Sequence, residues 1–145
     1  MADTFTTELG LTKPEVNGSE DTWGDKLNEN ADELEKLHVG VHSINSTGGS
    51  VTLTESQSRN RYIDVTGTLV SNLTINVPDK KREWIVYNGT TGSFTVTIKP
   101  SSTGYEVTQG KRELVRCTGT TALKGIDAAT SSGGGTSLGS IWLNT

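Results

Sequence analysis

The sequence predicts a mainly β protein: a small antiparallel β-sandwich or jelly-roll-like body, preceded by one amphipathic helix and followed by a flexible Gly/Ser-rich tail. Three observations carry that reading. Between residues 50 and 126, short alternating runs rich in Val, Ile and Thr are separated by Gly, Pro and Asn turn signals. Between Trp23 and Leu37, apolar side chains recur at helical spacing. Beyond residue 130, the run Ser131-Ser132-Gly133-Gly134-Gly135-Thr136-Ser137 carries nothing that could pack. Composition therefore divides the chain into residues 1–40 (lead and helix), 41–127 (β body) and 128–145 (tail).

In the lead, Pro14 and Asn17-Gly18 keep the backbone out of helix until about residue 21. Thr22 followed by Asp25 resembles a capping box, and Glu20 with Asp21 complements the positive end of the helix dipole. The apolar positions Trp23, Leu27, Ala31, Leu34 and Leu37 fall on one narrow stripe, and the helix is expected to stop at Gly40. Leu27, Ala31, Leu34, His38 and Val41 also fit heptad spacing, as in a short parallel bundle. Gly24 leaves room for the close approach of a partner's backbone. The stripe is too small to stand alone, so it reads as an oligomerisation and anchor element. Opposite it, Asp25, Lys26, Glu29, Asp32, Glu33, Glu35 and Lys36 form a solvated face, or one that docks on a basic groove of a neighbour.

The body begins with Ser50–Thr54, where Val51 and Leu53 share a side. Arg61–Val65 turns Ile63 and Val65 one way, Tyr62 and Asp64 the other. In Leu69–Val77 one face is nearly all aliphatic: Leu69, Leu73, Ile75 and Val77. Glu83–Tyr87 then turns through Asn88-Gly89-Thr90-Thr91-Gly92 into Phe94–Ile98, which reads as a hairpin. Tyr105–Thr108 and Glu113–Cys117 flank Gln109-Gly110-Lys111 as a second hairpin, and Ala122–Ile126 supplies a last strand. Asp79-Lys80-Lys81-Arg82-Glu83 reads as a solvated turn. The tail ends in Leu138, Ile141, Trp142 and Leu143, a peptide that either docks on a neighbouring subunit, by adding a strand for example, or stays disordered.

Composition narrows function. The apolar share of 31% is well below the roughly 45–50% typical of globular domains, so burial between subunits is expected. A formal charge of -4 argues against nucleic acid as partner. No apolar run is long enough for membrane insertion, and MADTFTTELG lacks the features of a signal peptide. The Asn45, Asn72 and Asn88 glycosylation patterns are accordingly discounted as chance matches. Cys117 is read as a small core residue. No nucleophile elbow, phosphate-binding glycine loop or paired cysteines occur, and no catalytic, cofactor or metal residue is expected. His38 and His42 are four apart, but Gly40 between them breaks their common face; ordinary polar packing competes there with a trimeric cluster of His38. Trp84 is assigned to the core, whereas Tyr62, Tyr87 and Tyr105 are candidates for glycan contact.

The run Thr22-Trp23-Gly24-Asp25-Lys26-Leu27-Asn28-Glu29-Asn30, with Leu11-Thr12-Lys13-Pro14 and Asn17-Gly18 upstream, resembles a "TWGDxLNxN" segment near the N-terminus of many tailed-bacteriophage tail-fibre and virion appendage proteins. Ile75-Asn76-Val77-Pro78, Trp84-Ile85-Val86-Tyr87-Asn88 and Phe94-Thr95-Val96-Thr97-Ile98-Lys99 resemble a β-module that recurs in phage fibres. These resemblances imply a structural virion protein assembled in the bacterial host cytoplasm. It would be a homotrimer anchored through its N-terminal part to a portal, adaptor, tail or capsid protein. The chain departs from typical fibres in lacking an extended repetitive shaft and an obvious receptor-binding tip. That keeps two alternatives open: a capsid or neck decoration protein, and a carbohydrate-binding module that recognises a host surface glycan.

Overall fold

The computed structural model of the chain describes residues 2–17 and 21–125. The apolar tail residues Leu138, Ile141, Trp142 and Leu143 lie outside the described residues. The protein is mainly β, with one main helix and three sheets. Two short strands of the lead, β1 (Thr4–Phe5) and β2 (Thr12–Lys13), pair antiparallel. Helix α1 (Trp23–Val39) follows and ends at Gly40, as its sequence predicts. Thr22 stands at the N-cap but makes no side-chain capping bond, so the expected capping box is absent.

Nine strands of the body are then divided between two sheets, the first six in alternation. β3 (Val41–Asn45), β5 (Tyr62–Thr68) and β7 (Lys81–Thr91) lie side by side in one sheet, joined by β10 (Arg112–Thr118) and β11 (Ala122–Lys124). β4 (Gly49–Thr52), β6 (Leu73–Asn76) and β8 (Val96–Lys99) form the other, with β9 (Tyr105–Val107) at its edge. A four-residue helix, α2 (Glu55–Ser58), bridges β4 and β5. Its capping box was not foreseen: Gln57 N donates to Thr54 Oγ1 at 3.2 Å, and Thr54 N donates to Gln57 Oε1 at 2.9 Å.

The two-sheet, β-rich body is as expected, but the antiparallel pairing is not. β3–β5, β5–β7, β4–β6 and β6–β8 are all parallel, and antiparallel pairing is confined to the strands from β9 onward and to the lead. The reason lies in the corners. Residues 46–48, 69–72 and 92–95 carry the chain across the core to the opposite sheet instead of reversing it beside itself. Each strand therefore meets its next sheet neighbour only after a full turn, running the same way. Register partners are 21 to 24 residues apart, so the body is a short solenoid of three rungs. The expected hairpin of 83–87 with 94–98 does not exist, because β7 and β8 belong to different sheets. The same holds for β9 and β10.

Inward side chains stack rung upon rung. Ile63 aligns with Val86, Leu73 with Val96 and Val107, and Ile75 with Ile98, all at most 1% exposed. Trp84 and Cys117 join this core, as the sequence predicts. Asn88 was expected in a turn, yet it sits inside β7 and is buried. Its Nδ2 donates to the Val107 carbonyl at 2.9 Å, tying the two sheets together, while its Oδ1 accepts from Thr90 N and Thr90 Oγ1. Such a group is tolerated in a core because both polar atoms of its amide are hydrogen-bonded.

Replacing Asn88 with Ala is expected to leave the Val107 carbonyl and the Thr90 donors unsatisfied at a cost of about 2–3 kcal/mol. Urea unfolding should show a lower midpoint with an unchanged slope; an unaltered midpoint would deny Asn88 this role.

Candidate functional site

The site is built around α2, where three distant parts of the chain converge. From α1, Glu33 Oε2 pairs with Arg59 Nη1 at 2.7 Å, and Glu33 Oε1 accepts from Ser56 Oγ at 3.0 Å and from Lys36 Nζ at 2.5 Å. From β7, Arg82 Nη2 pairs with Glu55 Oε1 at 2.7 Å, Arg82 Nη1 bonds Ser58 Oγ, and Trp84 Nε1 donates to the Ser58 carbonyl at 2.8 Å. From the lead, the Glu8 carbonyl accepts from Arg82 Nη2 at 3.1 Å. Gly10, at a φ of 63°, lies so close to Arg59 that a Cβ would sit 2.8 Å from Nη2.

The lead is pinned to the helix as well as to the body. Thr12 N donates to Asn30 Oδ1 at 2.9 Å while Asn30 Nδ2 donates to the Thr12 carbonyl at 2.7 Å, so the amide reads the backbone as a neighbouring strand would. Lys26 pairs with Asp3 at 2.6 Å. The two motif pieces singled out in the sequence, Leu11–Pro14 and Thr22–Asn30, are thus in direct contact with each other. Lys80 Nζ donates to the Thr7 carbonyl at 2.6 Å, and Arg82 is buried. In Asp79–Glu83, Asp79, Lys81 and Glu83 are exposed, as expected, but Lys80 and the buried Arg82 bond the lead, and the stretch runs on into β7.

This clamp fixes the rotation of α1. Lys26, Asn30, Glu33 and Leu37 face the body, half-buried or buried, whereas Leu27, Ala31, Leu34 and His38 are exposed. Each exposed residue follows an inward one, so the apolar ridge is turned roughly 100° away from the body. The expected arrangement is corrected in three respects. Glu33 is buried, and Lys26 and Lys36 are half-buried, so only Asp25, Glu29, Asp32 and Glu35 of the presumed solvated face are exposed. Leu37 belongs to the inward stripe, since it lies one turn beyond Glu33. Val41 is in β3, so the heptad spacing ends with the helix.

What remains exposed is large. Trp23 is 55% accessible, Leu27 54% and Leu34 41%, with Ala31 also exposed. A Cβ added at Gly24 would meet nothing within 4 Å, so no contact among the described residues demands glycine there. Covering the part of each Leu that is still open is worth about 1 kcal/mol, which makes the ridge a favourable surface for a partner.

The glycan candidates do not converge. Tyr62 and Tyr87 project from the outer face of the five-stranded sheet, but the Arg112 guanidinium lies over the Tyr87 ring at 4.3 Å and pairs with Asp64 at 3.1 Å. Tyr105 is on the other sheet, packed against the core, because its register partner is Ile98. The three therefore form no common stacking platform. His38 is exposed at the end of α1 and His42 is half-buried in β3, where burial lowers its pKa. Among the described residues no group of three His, Cys, Asp or Glu is arranged to hold a metal. Burial pushes the Cys117 thiol up, which favours its protonated form.

The clamp residues Glu33, Arg59, Glu55 and Arg82 escaped the sequence reading. One signal was available: Thr54 and Gln57, spaced as a capping box, mark a helix start just before Ser58-Arg59. No protein family matches the chain, and no curated relative or solved structure matches it either.

The Glu33 carboxyl is subject to opposed influences. Burial, the largest, raises its pKa, but hydrogen bonds from Arg59, Lys36 and Ser56, with the Arg59 charge, together hold it below the ordinary 4.5. A group whose pKa is lowered on folding stabilises the fold above its unfolded pKa. Docking of α1 is therefore expected to be at full strength above pH 4.5 and to weaken as the pH falls through the lowered value. Amide hydrogen exchange should show α1 opening before the rungs in acid. Glu33→Ala, which leaves the buried Arg59 with only the Glu55 carboxylate at 3.9 Å, should cost about 2–3 kcal/mol at neutral pH. Equal exchange in α1 and β6 at every pH would contradict the clamp.

Proposed function

We propose that the chain is a non-enzymatic structural protein of a tailed bacteriophage virion, a short homotrimeric fibre or appendage joined to the particle through residues 1–40. The observation that carries the reading is the presentation of α1. A helix buries its polar side through a built ion-pair network and turns its apolar ridge, Trp23, Leu27, Ala31 and Leu34, to solvent. An isolated protein gains nothing from that arrangement, whereas an assembly gains a preformed, rigid contact. The resemblance of Thr22–Asn30 and Leu11–Pro14 to phage appendage anchors supplies the setting. Those segments are the ones that α1 and the lead join into a single unit.

In this reading three ridges meet about a common axis, and other virion proteins grip the lead. Gly24 fits the same picture, because three helices crossing near their N-termini approach most closely where a side chain is missing. The three-rung body is displayed away from the particle.

The molar mass of the purified protein in solution is expected to be three times the 15.5 kDa of one chain. Leu27→Asp combined with Leu34→Asp should yield a monomer that keeps its β-sheet circular dichroism, since neither residue touches the core. A wild-type monomer with α1 intact would overturn the trimer. Counting copies in purified particles tests the placement: a few sets of three for an appendage, hundreds for a decoration protein.

A further inference from the structure

The charges of the chain are divided unevenly. Residues 1–40 hold ten Asp and Glu against three Lys, whereas residues 41–125 hold ten Lys and Arg against six carboxylates. Part of the imbalance is met within the chain, where Glu33 pairs with Arg59 and Lys36, and Arg82 with Glu55. The remainder falls on two surfaces. On α1, Asp25, Glu29, Asp32 and Glu35 are exposed and make no ion pair among the described residues. On the body, β10 turns Val115 and Cys117 inward, so Arg112, Leu114 and Arg116 project from the outer face of the five-stranded sheet. Lys111 and Lys124 line a depression of about 400 Å³ beside Leu114.

Cations outnumber carboxylates on that face. Arg112 is answered by Asp64 at 3.1 Å, and Glu113, on the wall of the depression, accepts from Thr108 N at 2.9 Å. Lys111 and Lys124 make no ion pair among the described residues, and Arg116 stands across from a Glu83 that Arg61 already approaches to 3.8 Å. The outer face of the four-stranded sheet offers only Lys99 and Glu106 as charges. The rotation of α1 indicates the occupant. Leu27, Ala31 and Leu34 each follow a body-facing residue, whereas Asp25, Glu29 and Asp32 each precede one. At about 100° per residue, ridge and acidic stripe therefore lie on opposite flanks of the side that grips the body. Three such helices with their ridges on a common axis carry their bodies all in the same rotational sense. Each body then fills the gap toward the next helix, and the flank which that helix turns to it is the acidic one.

We propose that the outer face of the five-stranded sheet receives the acidic flank of α1 from a second copy of the chain, the next one around the threefold. Lys111, Arg116 and Lys124 of one chain meet Glu29, Asp32 and Glu35 of the other. The assignment rests on the trimer reading and adds a heterologous contact to it: each chain gives a helix flank to one neighbour and a sheet face to the other. The charges set the register of the closed ring, while the ridges supply its apolar centre.

Charge reversal in the full-length protein, read by sedimentation equilibrium, tests the contact. Lys111→Glu with Lys124→Glu is expected to raise the trimer dissociation constant about tenfold at low salt, because like charges then face each other across the interface. Adding Glu29→Lys and Asp32→Lys to the same chain should recover most of that loss. Carbodiimide coupling gives a second measurement on the wild-type protein. In trimers assembled from light and heavy isotope chains, Lys111 or Lys124 should be joined to α1 carboxylates in peptides of mixed isotope. A doubly reversed trimer as tight as wild type, a quadruple variant no tighter than the double, or couplings confined to peptides of a single isotope would each overturn the contact and leave the trimer standing. A wild-type monomer would overturn the trimer and this contact with it.

Discussion

Two charges taken out of water at the Glu33–Arg59 contact set the position of α1, and with it what the molecule can offer a partner. An ion pair of this kind is a poor source of net stability, because desolvation consumes most of the Coulomb gain. Its value is orientation. Glu33 is met by Arg59, Lys36 and Ser56 at once, so the helix has one rotation in which the carboxylate is satisfied. In that rotation Leu37 turns inward, and Trp23, Leu27, Ala31 and Leu34 cannot reach the core. An apolar contact in place of the pair would have let the helix roll its own ridge onto the body and bury it.

The small size of α2 matters for the same reason. Four residues, Glu55–Ser58, present carboxylate, hydroxyl and carbonyl groups in three directions, with Arg59 just beyond. They receive the lead through Arg82, the helix through Glu33, and the core through Trp84. Trp84 is wholly buried and its ring nitrogen bonds the Ser58 carbonyl, so the corner that holds the lead and α1 is rooted in the core of the solenoid. The lead, α1 and the body are therefore joined through side-chain bonds as well as along the backbone.

Rung stacking gives the body its own economy. Aliphatic ladders repeat at each turn, and one polar residue, Asn88, crosses between the sheets where β9 closes the stack. A chain with few apolar residues can fill such a core because the two sheets share one narrow interior, and each rung adds only a handful of side chains to it. The outer faces carry many Thr, Ser and charged side chains.

Much of this was legible in the residues. The alternation at 62–65 set Ile63 and Val65 on one face, that at 69–77 put Leu73 and Ile75 on the core, and Trp84 was assigned to the core, because a strand has only two faces. The 3.6-residue spacing from Trp23 located α1 and its ridge, and Gly40 marked its end. Strand direction was not legible, since alternation reads the same in parallel and antiparallel pairs. The turn at Asn88-Gly89 was misread because Asn-Gly favours turns only where no buried partner claims the amide.

The sequence by itself determined which side chains are apolar, at what period, and hence that a β body carries a helix with an uncovered stripe. Only the tertiary structure decided the sense of pairing and the burial of Glu33, since both depend on contacts between residues distant in the chain. Rung neighbours stand more than twenty positions apart, and Glu33 meets Arg59 across 26. No local pattern records which distant group will be near enough to satisfy a buried charge.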